Sequence, residues 1–241
     1  MKKIDWNNIR LIAMLGVAVF LYSFSAYRNE NRNVKQQEIV FAETQTFITK
    51  EEVNKLLKQN FGTLTSVKKV QLDLGKVEKS ICENPMVGRA EVYATVDGKL
   101  VAEITQKKPV ARIFEGNKSY YLDYEGNVMP LSENETARVP LLTGNLKAVE
   151  AKRLTKLLKY IYDDNFLKKN ITGLEVHPEG NIVMGARGYD FDIVFGSPIN
   201  IDRKFDNYKA FLQDAIKDTL TEKYKTINLK FTQQVVCTKK Q

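Results

Sequence analysis

The sequence predicts an α+β chain with a single N-terminal transmembrane helix, a small β-α-α-β-β domain and then a β-rich domain with two helices. Three observations carry that prediction. An uncharged apolar run, Leu11 to Tyr27, is fenced by Arg10 and Arg28. A strand-like run, two short helical patterns and a clean hairpin then follow in that order. From Pro109 onward the texture changes to short alternating strands interrupted by two longer amphipathic stretches.

At ~1.5 Å rise per residue the run from Leu11 to Tyr27 covers ~25 Å of a ~30 Å hydrocarbon core, and Ile9 with snorkelling arginines supplies the rest. A cleaved signal peptide is the competing reading, since Lys2, Lys3 and Arg10 form a basic region and Ser23, Ser25 and Ala26 are small. Cutting after Ala26 would put bulky Phe24 where a small residue is wanted, so the sequence favours an uncleaved anchor. Basic residues flank both ends (Lys2, Lys3 and Arg10 against Arg28, Arg32 and Lys35), and the shortness of the N-terminal tail favours an inside N-terminus. The expected division is a cytoplasmic tail at 1–10, the transmembrane helix at 11–27, a juxtamembrane spacer at 28–37, the small domain at 38–108, the β domain at 109–236 and a tail at 237–241.

The formal charge of +8 falls to +6 once Lys2, Lys3, Arg10 and Asp5 are set aside. Lys and Arg alternate with Glu and Asp almost everywhere, which does not make the aromatic-laced basic stripe that nucleic acid needs. A membrane surface or wall polymer is the better electrostatic neighbour. Cys82 and Cys237 are too few for a disulfide scaffold, and both a single bridge and two buried thiols stay open.

Each element follows from local chemistry. Arg28-Asn-Glu-Asn-Arg-Asn-Val-Lys-Gln-Gln37 is polar without periodicity and reads as spacer. Glu38 to Phe41 is a short β-prone run. Thr49-Lys-Glu-Glu52 is a capping box opening a helix whose buried side carries Val53, Leu56 and Leu57. A second helix starts near Asp73, with Leu74, Val77 and Ile81 at helical spacing, and stops at Asn84-Pro85 because a residue before proline avoids the α region. Ala90, Val92, Ala94 and Val96 alternate up to Asp97-Gly98, read as a two-residue type I′ turn, and Leu100, Ala102 and Ile104 alternate away from it.

In the second domain, strands are expected at Val110–Phe114, Ser119–Leu122, Val128–Leu131, Gly173–His177, Asn181–Ala186, Tyr189–Phe195 and Thr226–Phe231. A helix from about Ala148 to Tyr162 buries Val149, Leu154, Leu157, Leu158 and Ile161. Another, from Asp202 to about Leu220, buries Phe205, Tyr208, Leu212 and Ala215. Val235-Val236 is read as a β-branched tail.

Motifs for chemistry are sparse. The sole histidine, His177, abuts the turn Pro178-Glu-Gly180 and reads as a turn-flanking surface residue. Asp190 and Asp192 share a strand face, where acids commonly meet water rather than metal. Asn117-Lys-Ser119, Asn134-Glu-Thr136 and Asn170-Ile-Thr172 are sequons that matter only in a glycosylating pathway. Ser66-Val-Lys-Lys69 fits S-x-x-K and Ser132-Glu-Asn134 approximates S-D-N, but the K-T-G element of penicillin-binding enzymes is missing. The expectation is a binder: no catalytic residue, no cofactor, no metal and no small-molecule substrate.

The plan, together with Asn84-Pro-Met-Val87, Ala90-Glu-Val-Tyr93, Gly98-Lys-Leu100, Gln106-Lys-Lys-Pro-Val-Ala-Arg112, Tyr120-Tyr-Leu-Asp123, Gly126, Met129-Pro-Leu131 and Arg138-Val-Pro-Leu-Leu-Thr-Gly144, resembles the FtsQ/DivIB family of bacterial cell-division proteins, in a pattern most like its Bacteroidetes branch. The resemblance implies that the small domain is a POTRA domain. It implies a non-enzymatic scaffold that recruits FtsB- and FtsL-like partners and through them regulates septal peptidoglycan synthesis. It also implies a single-pass protein of the inner membrane, concentrated at the septum with its C-terminal domains in the periplasm. In that family the last strand and the residues just after it receive an FtsB segment by strand addition. Matching Ile227-Asn-Leu-Lys-Phe231 to that strand places the contact on Phe231, Thr232, Gln233, Gln234 and Val235. The alternative from another class is a POTRA-bearing docking component of protein translocation or envelope assembly.

Overall fold

The computed structural model describes residues 6–30, 33–43, 47–62, 72–116, 118–217 and 221–240. The chain divides into two compact units, Met1–Gln106 and Lys107–Gln241. Lys2, Lys3, Arg32, Asn117, Leu220 and the Ser66-Val-Lys-Lys69 motif lie outside the described residues.

The apolar run forms α1 (Trp6–Glu30), which is helical beyond the uncharged stretch at both ends. Its segment Ile9–Arg28 is long and apolar enough to cross a membrane. Along it Leu11, Ile12, Met14, Leu15, Phe20 and Tyr22 are all exposed, so the protein's own core offers these side chains no cover.

The rest of the first unit is a three-stranded sheet with two helices. Its strands are β1 (Gln36–Phe41), β2 (Val87–Ala94) and β3 (Lys99–Gln106), in the order β1-β3-β2. β1 runs parallel to β3, and β2 antiparallel to it. β1 starts two residues before the expected Glu38. Val34 is already buried, and the Lys35 amide donates to the Gly98 carbonyl at 2.8 Å, so side chains and backbone anchor the chain before the strand begins. The helices are α2 (Lys50–Phe61) and α3 (Leu74–Cys82). The capping box is formed as read: the Glu52 amide donates to Thr49 Oγ1 at 3.2 Å and the Thr49 amide donates to Glu52 Oε2 at 2.7 Å. Asp73 caps α3 through the Lys76 amide. Val53, Leu57, Val77 and Ile81 are buried, as are Ile39, Val92, Leu100, Ala102 and Ile104 on the sheet, while Leu56 is only half-buried. The buried Gln106 carboxamide oxygen accepts from the amides of Phe47 and Ile48, which ties the end of β3 to the approach to α2.

The hairpin turn differs from the expected type I′. A type I′ turn needs φ > 0 at both central positions, but only Gly98 has it, at 87°. The Gly98 amide donates to the Thr95 carbonyl and the Thr95 amide to the Lys99 carbonyl, so Val96, Asp97 and Gly98 make a three-residue loop, a type I turn closed by a glycine bulge. Thr95 therefore faces Lys99, and Val96, read as the inward end of the strand, is exposed at the tip.

The second unit is a nine-stranded mixed sheet. The strands are β4 (Pro109–Glu115), β5 (Lys118–Asp123), β6 (Val128–Met129), β7 (Leu141–Gly144), β8 (Ile171–Val176), β9 (Ile182–Ala186), β10 (Asp192–Gly196), β11 (Tyr224–Asn228) and β12 (Val236–Lys239), in the spatial order β12-β11-β10-β9-β8-β7-β4-β5-β6. β6 is shorter than expected because Pro130 cannot donate to the ladder. β7, which the alternation did not reveal, runs parallel to β4 on one side and to β8 on the other, joining what would be two separate sheets.

The helices of this unit are α4 (Ala151–Asp163), α5 (Asn165–Asn170) and α6 (Ile201–Lys217). α4 starts three residues later than expected: Leu146–Ala148 is one 3₁₀ turn and Val149 is extended, so Val149 reaches the core from outside the helix. α5 is a third helix, beyond the two expected; the Asp164 carboxylate caps it by accepting from the amides of Phe166 and Leu167. Leu157, Leu158, Ile161, Phe205, Tyr208 and Leu212 form one core with Ile193, Phe195, Ile227 and Leu229. Phe205 stacks on Tyr160 and meets Phe195 at 5.1 Å. Each such side chain contributes about 1.5–3 kcal/mol by burial, far more than helix propensity alone could supply to α4 and α6.

Candidate partner-binding edge

The end of the sheet is built outward from β10. β11 runs parallel to β10 with Ile193 beside Ile227, and Ile227 and Leu229 are fully buried. The expected strand to Phe231 instead ends at Asn228. The Leu229 amide still donates to the Val194 carbonyl, but the Asn228 side chain then accepts from the Lys230 amide and turns the chain away. The five residues expected to receive a partner therefore lie in a connection rather than after a free strand. Phe231 is 51% exposed, Gln233 and Gln234 are exposed, the Thr232 carbonyl accepts from Asn207, and Val235 packs against the core.

The edge of β11, expected to be open, is covered by β12, which the tail forms by pairing antiparallel with β11: Asn228 opposite Val236, Ile227 opposite Cys237, Thr226 opposite Thr238. The signal was present as Val235-Val236-Cys237-Thr238, a β-prone run cut short by Lys239 and Lys240. The outermost strand is thus β12. The Lys240 amide donates to the Lys223 carbonyl, so by alternation residues 236, 238 and 240 turn their backbone groups toward β11. Those of Cys237 and Lys239 point away from the sheet.

The edge is cationic, with Lys223, Lys225, Lys239 and Lys240 all exposed. Lys240 also reaches Asp190 at 3.6 Å. Asp190 lies before β10 and Asp192 within it, so the two acids read as sharing a strand face are not on one strand. Burial pushes the Cys237 thiol up, which keeps it a protonated packing group. Cys237 and Cys82 are both free thiols.

Behind the edge stands Lys204, a lysine only 2% exposed, whose ammonium donates to the carbonyls of Phe195 and Ser197 at 2.9 and 2.8 Å and sits over the Phe195 ring. Lys204→Met should take the ammonium from the Phe195 carbonyl, while the Ser197 carbonyl keeps the Ile199 amide, and cost about 1–3 kcal/mol near neutral pH. Burial, then the nearby Lys230 charge, lowers the Lys204 pKa below the ordinary lysine value. The unfolded chain therefore keeps this proton to higher pH than the folded protein, so this group makes stability rise with pH through the alkaline window between the two pKa values. Tyrosines such as Tyr208, held above their ordinary value by burial, pull the other way in both proteins, so in urea melts at successive alkaline pH values the wild type should gain stability relative to Lys204→Met.

The other singled-out residues have structural roles. His177 stands half-buried at a turn, where its amide donates to Asn181 and its carbonyl accepts from Gly180. Ser132 Oγ accepts from the Asn134 and Glu135 amides and holds a local turn. Asn170, the acceptor residue of one sequon, is buried, with its Oδ1 accepting from the Tyr208 hydroxyl at 2.7 Å, so burial withholds its side chain from a glycan.

Comparison with known proteins covers both units. A family model described as FtsQ/DivIB, C-terminal related, matches residues 108–238, and one described as a POTRA-like domain matches residues 33–105. The chain is 38% identical over 74 residues to the Cell division protein FtsQ of Geotalea daltonii. That alignment covers 30% of this chain and spans only 26% of the relative's own length.

Proposed function

The chain belongs to the FtsQ/DivIB family, and from that membership we propose that it is a non-enzymatic, single-pass scaffold of the bacterial division septum. α1 holds it in the inner membrane, and both folded units stand on the periplasmic side. It recruits FtsB- and FtsL-like proteins, and through them it regulates septal peptidoglycan synthesis.

The observation that carries this reading is the outward-facing backbone of β12 at the end of the family-matched unit. A partner segment adds there as a tenth strand, taking its affinity from the main-chain groups of Cys237 and Lys239 and its selectivity from the flanking Phe231, Thr232, Gln233, Gln234 and Val235. The lysines along this edge repel the identical edge of a second copy, so the strand is open to a partner without inviting self-pairing.

A fluorescent fusion of the full chain in dividing cells should give a midcell band, and the tagged chain should co-purify the FtsB-like protein of the same cell from detergent extracts. Uniform membrane fluorescence with no such partner would overturn the septal reading and favour a docking role in envelope assembly.

A further inference from the structure

A single arc of α6 carries three polar anchors to three different places along the sheet and its connections. Lys204 binds the carbonyls at the end of β10, Tyr208 binds Asn170 at the start of β8, and Asn207 Nδ2 donates at 3.0 Å to the carbonyl of Thr232, in the connection that leads to β12. The first two anchors hold parts of the sheet already fixed by ladder bonds and core packing. The third holds a segment with no ladder of its own.

That segment, 229–235, is pinned at its ends by buried Leu229 and by Val235 against the core, while Phe231, Gln233 and Gln234 between them face solvent. The stem of Lys230 also lies against Gly196, so close that a Cβ there would be 2.7 Å from its Cγ. β12 itself has four residues and a partner on one side only. A strand that short keeps its place only if the connection feeding it is held still.

We infer that Asn207 is a positioning residue: by fixing Thr232 it holds the β11–β12 connection, and so presents the β12 edge in the extended form that an incoming strand pairs with. This rests on the reading of β12 as the dock, in that a preordered edge spares the partner the cost of ordering it. Asn207 itself need touch no partner.

The test is hydrogen exchange on the full chain in detergent, with the amides of Val236, Thr238 and Lys240 reporting the β11–β12 pairing. In Asn207→Ala these should exchange roughly tenfold faster while amides of β8 and β9 keep their wild-type rates, since the change is local. Asn207→Gln, which keeps the carboxamide donor, should restore most of the protection. A general loss of packing would speed β8 and β9 as well and would not be rescued by glutamine. Co-purification of the FtsB-like partner by Asn207→Ala should fall about five- to tenfold. Wild-type exchange at 236–240 in Asn207→Ala overturns the positioning role and leaves the dock standing. Faster exchange together with wild-type capture by both Asn207→Ala and a proline on β12 overturns the dock instead.

Discussion

Gly144→Ala is expected to destabilise the second unit by about 4 kcal/mol or more, enough to lower its melting temperature by roughly 10 °C or more. Gly144 ends β7 with φ of 89°, where an L side chain is already strained by about 1–2 kcal/mol. Steric overlap costs more than this strain. A Cβ at this position would stand 2.2 Å from the Val176 carbonyl oxygen and 2.9 Å from its nitrogen, both backbone atoms of the paired strand β8. Neither can move without breaking the β7–β8 ladder or the bond from the Asn145 amide to that same carbonyl. Among the described residues β7 is the only bridge in the strand order between β6-β5-β4 and the five strands ending at β12, so its loss divides the sheet. Thr143→Ala next door, exposed and away from these contacts, should stay within about 0.5 kcal/mol. Urea melts followed by far-ultraviolet circular dichroism suit the comparison, because the lone tryptophan, Trp6, lies in α1 and does not report on this unit. Equal midpoints for Gly144→Ala and Thr143→Ala would show that β7 and β8 do not approach as closely as described.

The first unit was legible because its signals are local. A capping box, an Asp cap and a hairpin each declare themselves within a few residues, and the alternation of Ala90 and Val92 with Leu100, Ala102 and Ile104 marked the inward face correctly. What failed there was turn chemistry. Asp97-Gly98 fits both a two-residue turn and a three-residue loop, and the choice is made by whether Thr95 or Val96 pairs back, which alternation alone does not show.

In the second unit the long apolar stripes of α4 and α6 were plain, but β7, α5 and β12 were not. β7 has four residues behind Pro140, too few for a period-2 pattern to stand out, and it exists because β4 and β8 offer ladders on both sides. β12 was hidden for the same reason: its pairing with β11 is nonlocal, and two terminal lysines made it look like solvent-exposed tail. That omission bears directly on the site. Reading Val235-Val236 and the residues after it as tail leaves β11 as the docking edge, whereas the folded tail occupies that edge and offers its own. The family resemblance pointed to the last strand and the residues after it, and backbone pairing makes β12 rather than β11 the outermost strand there.

The last expected result follows from that shift. Lys239→Pro should abolish capture of the FtsB-like partner, raising its Kd at least about tenfold, or ~1.4 kcal/mol, while leaving the fold intact. The amide of Lys239 faces away from β11, so replacing it deletes a donor available to an added strand without deleting one from the β11–β12 ladder. Proline also restricts the residue before it to extended backbone, which Thr238 already adopts, and edge strands are where sheets tolerate it. Thr238→Pro should behave differently, because that amide faces β11. It should unpair β12 and raise exchange across the hairpin. Lys239→Ala removes only an exposed charge and should cost little at physiological salt. Phe231→Ala should fall between alanine and proline at 239, by loss of apolar contact beside the edge. Gln234→Pro separates the two versions of the dock. If the partner is held chiefly by the connection 231–235, that variant loses capture and Lys239→Pro does not; if it adds to β12, the order reverses. Co-purification of the full-length variants with the partner, each checked by circular dichroism, reads the difference, and wild-type capture by a folded Lys239→Pro would remove β12 from the proposal.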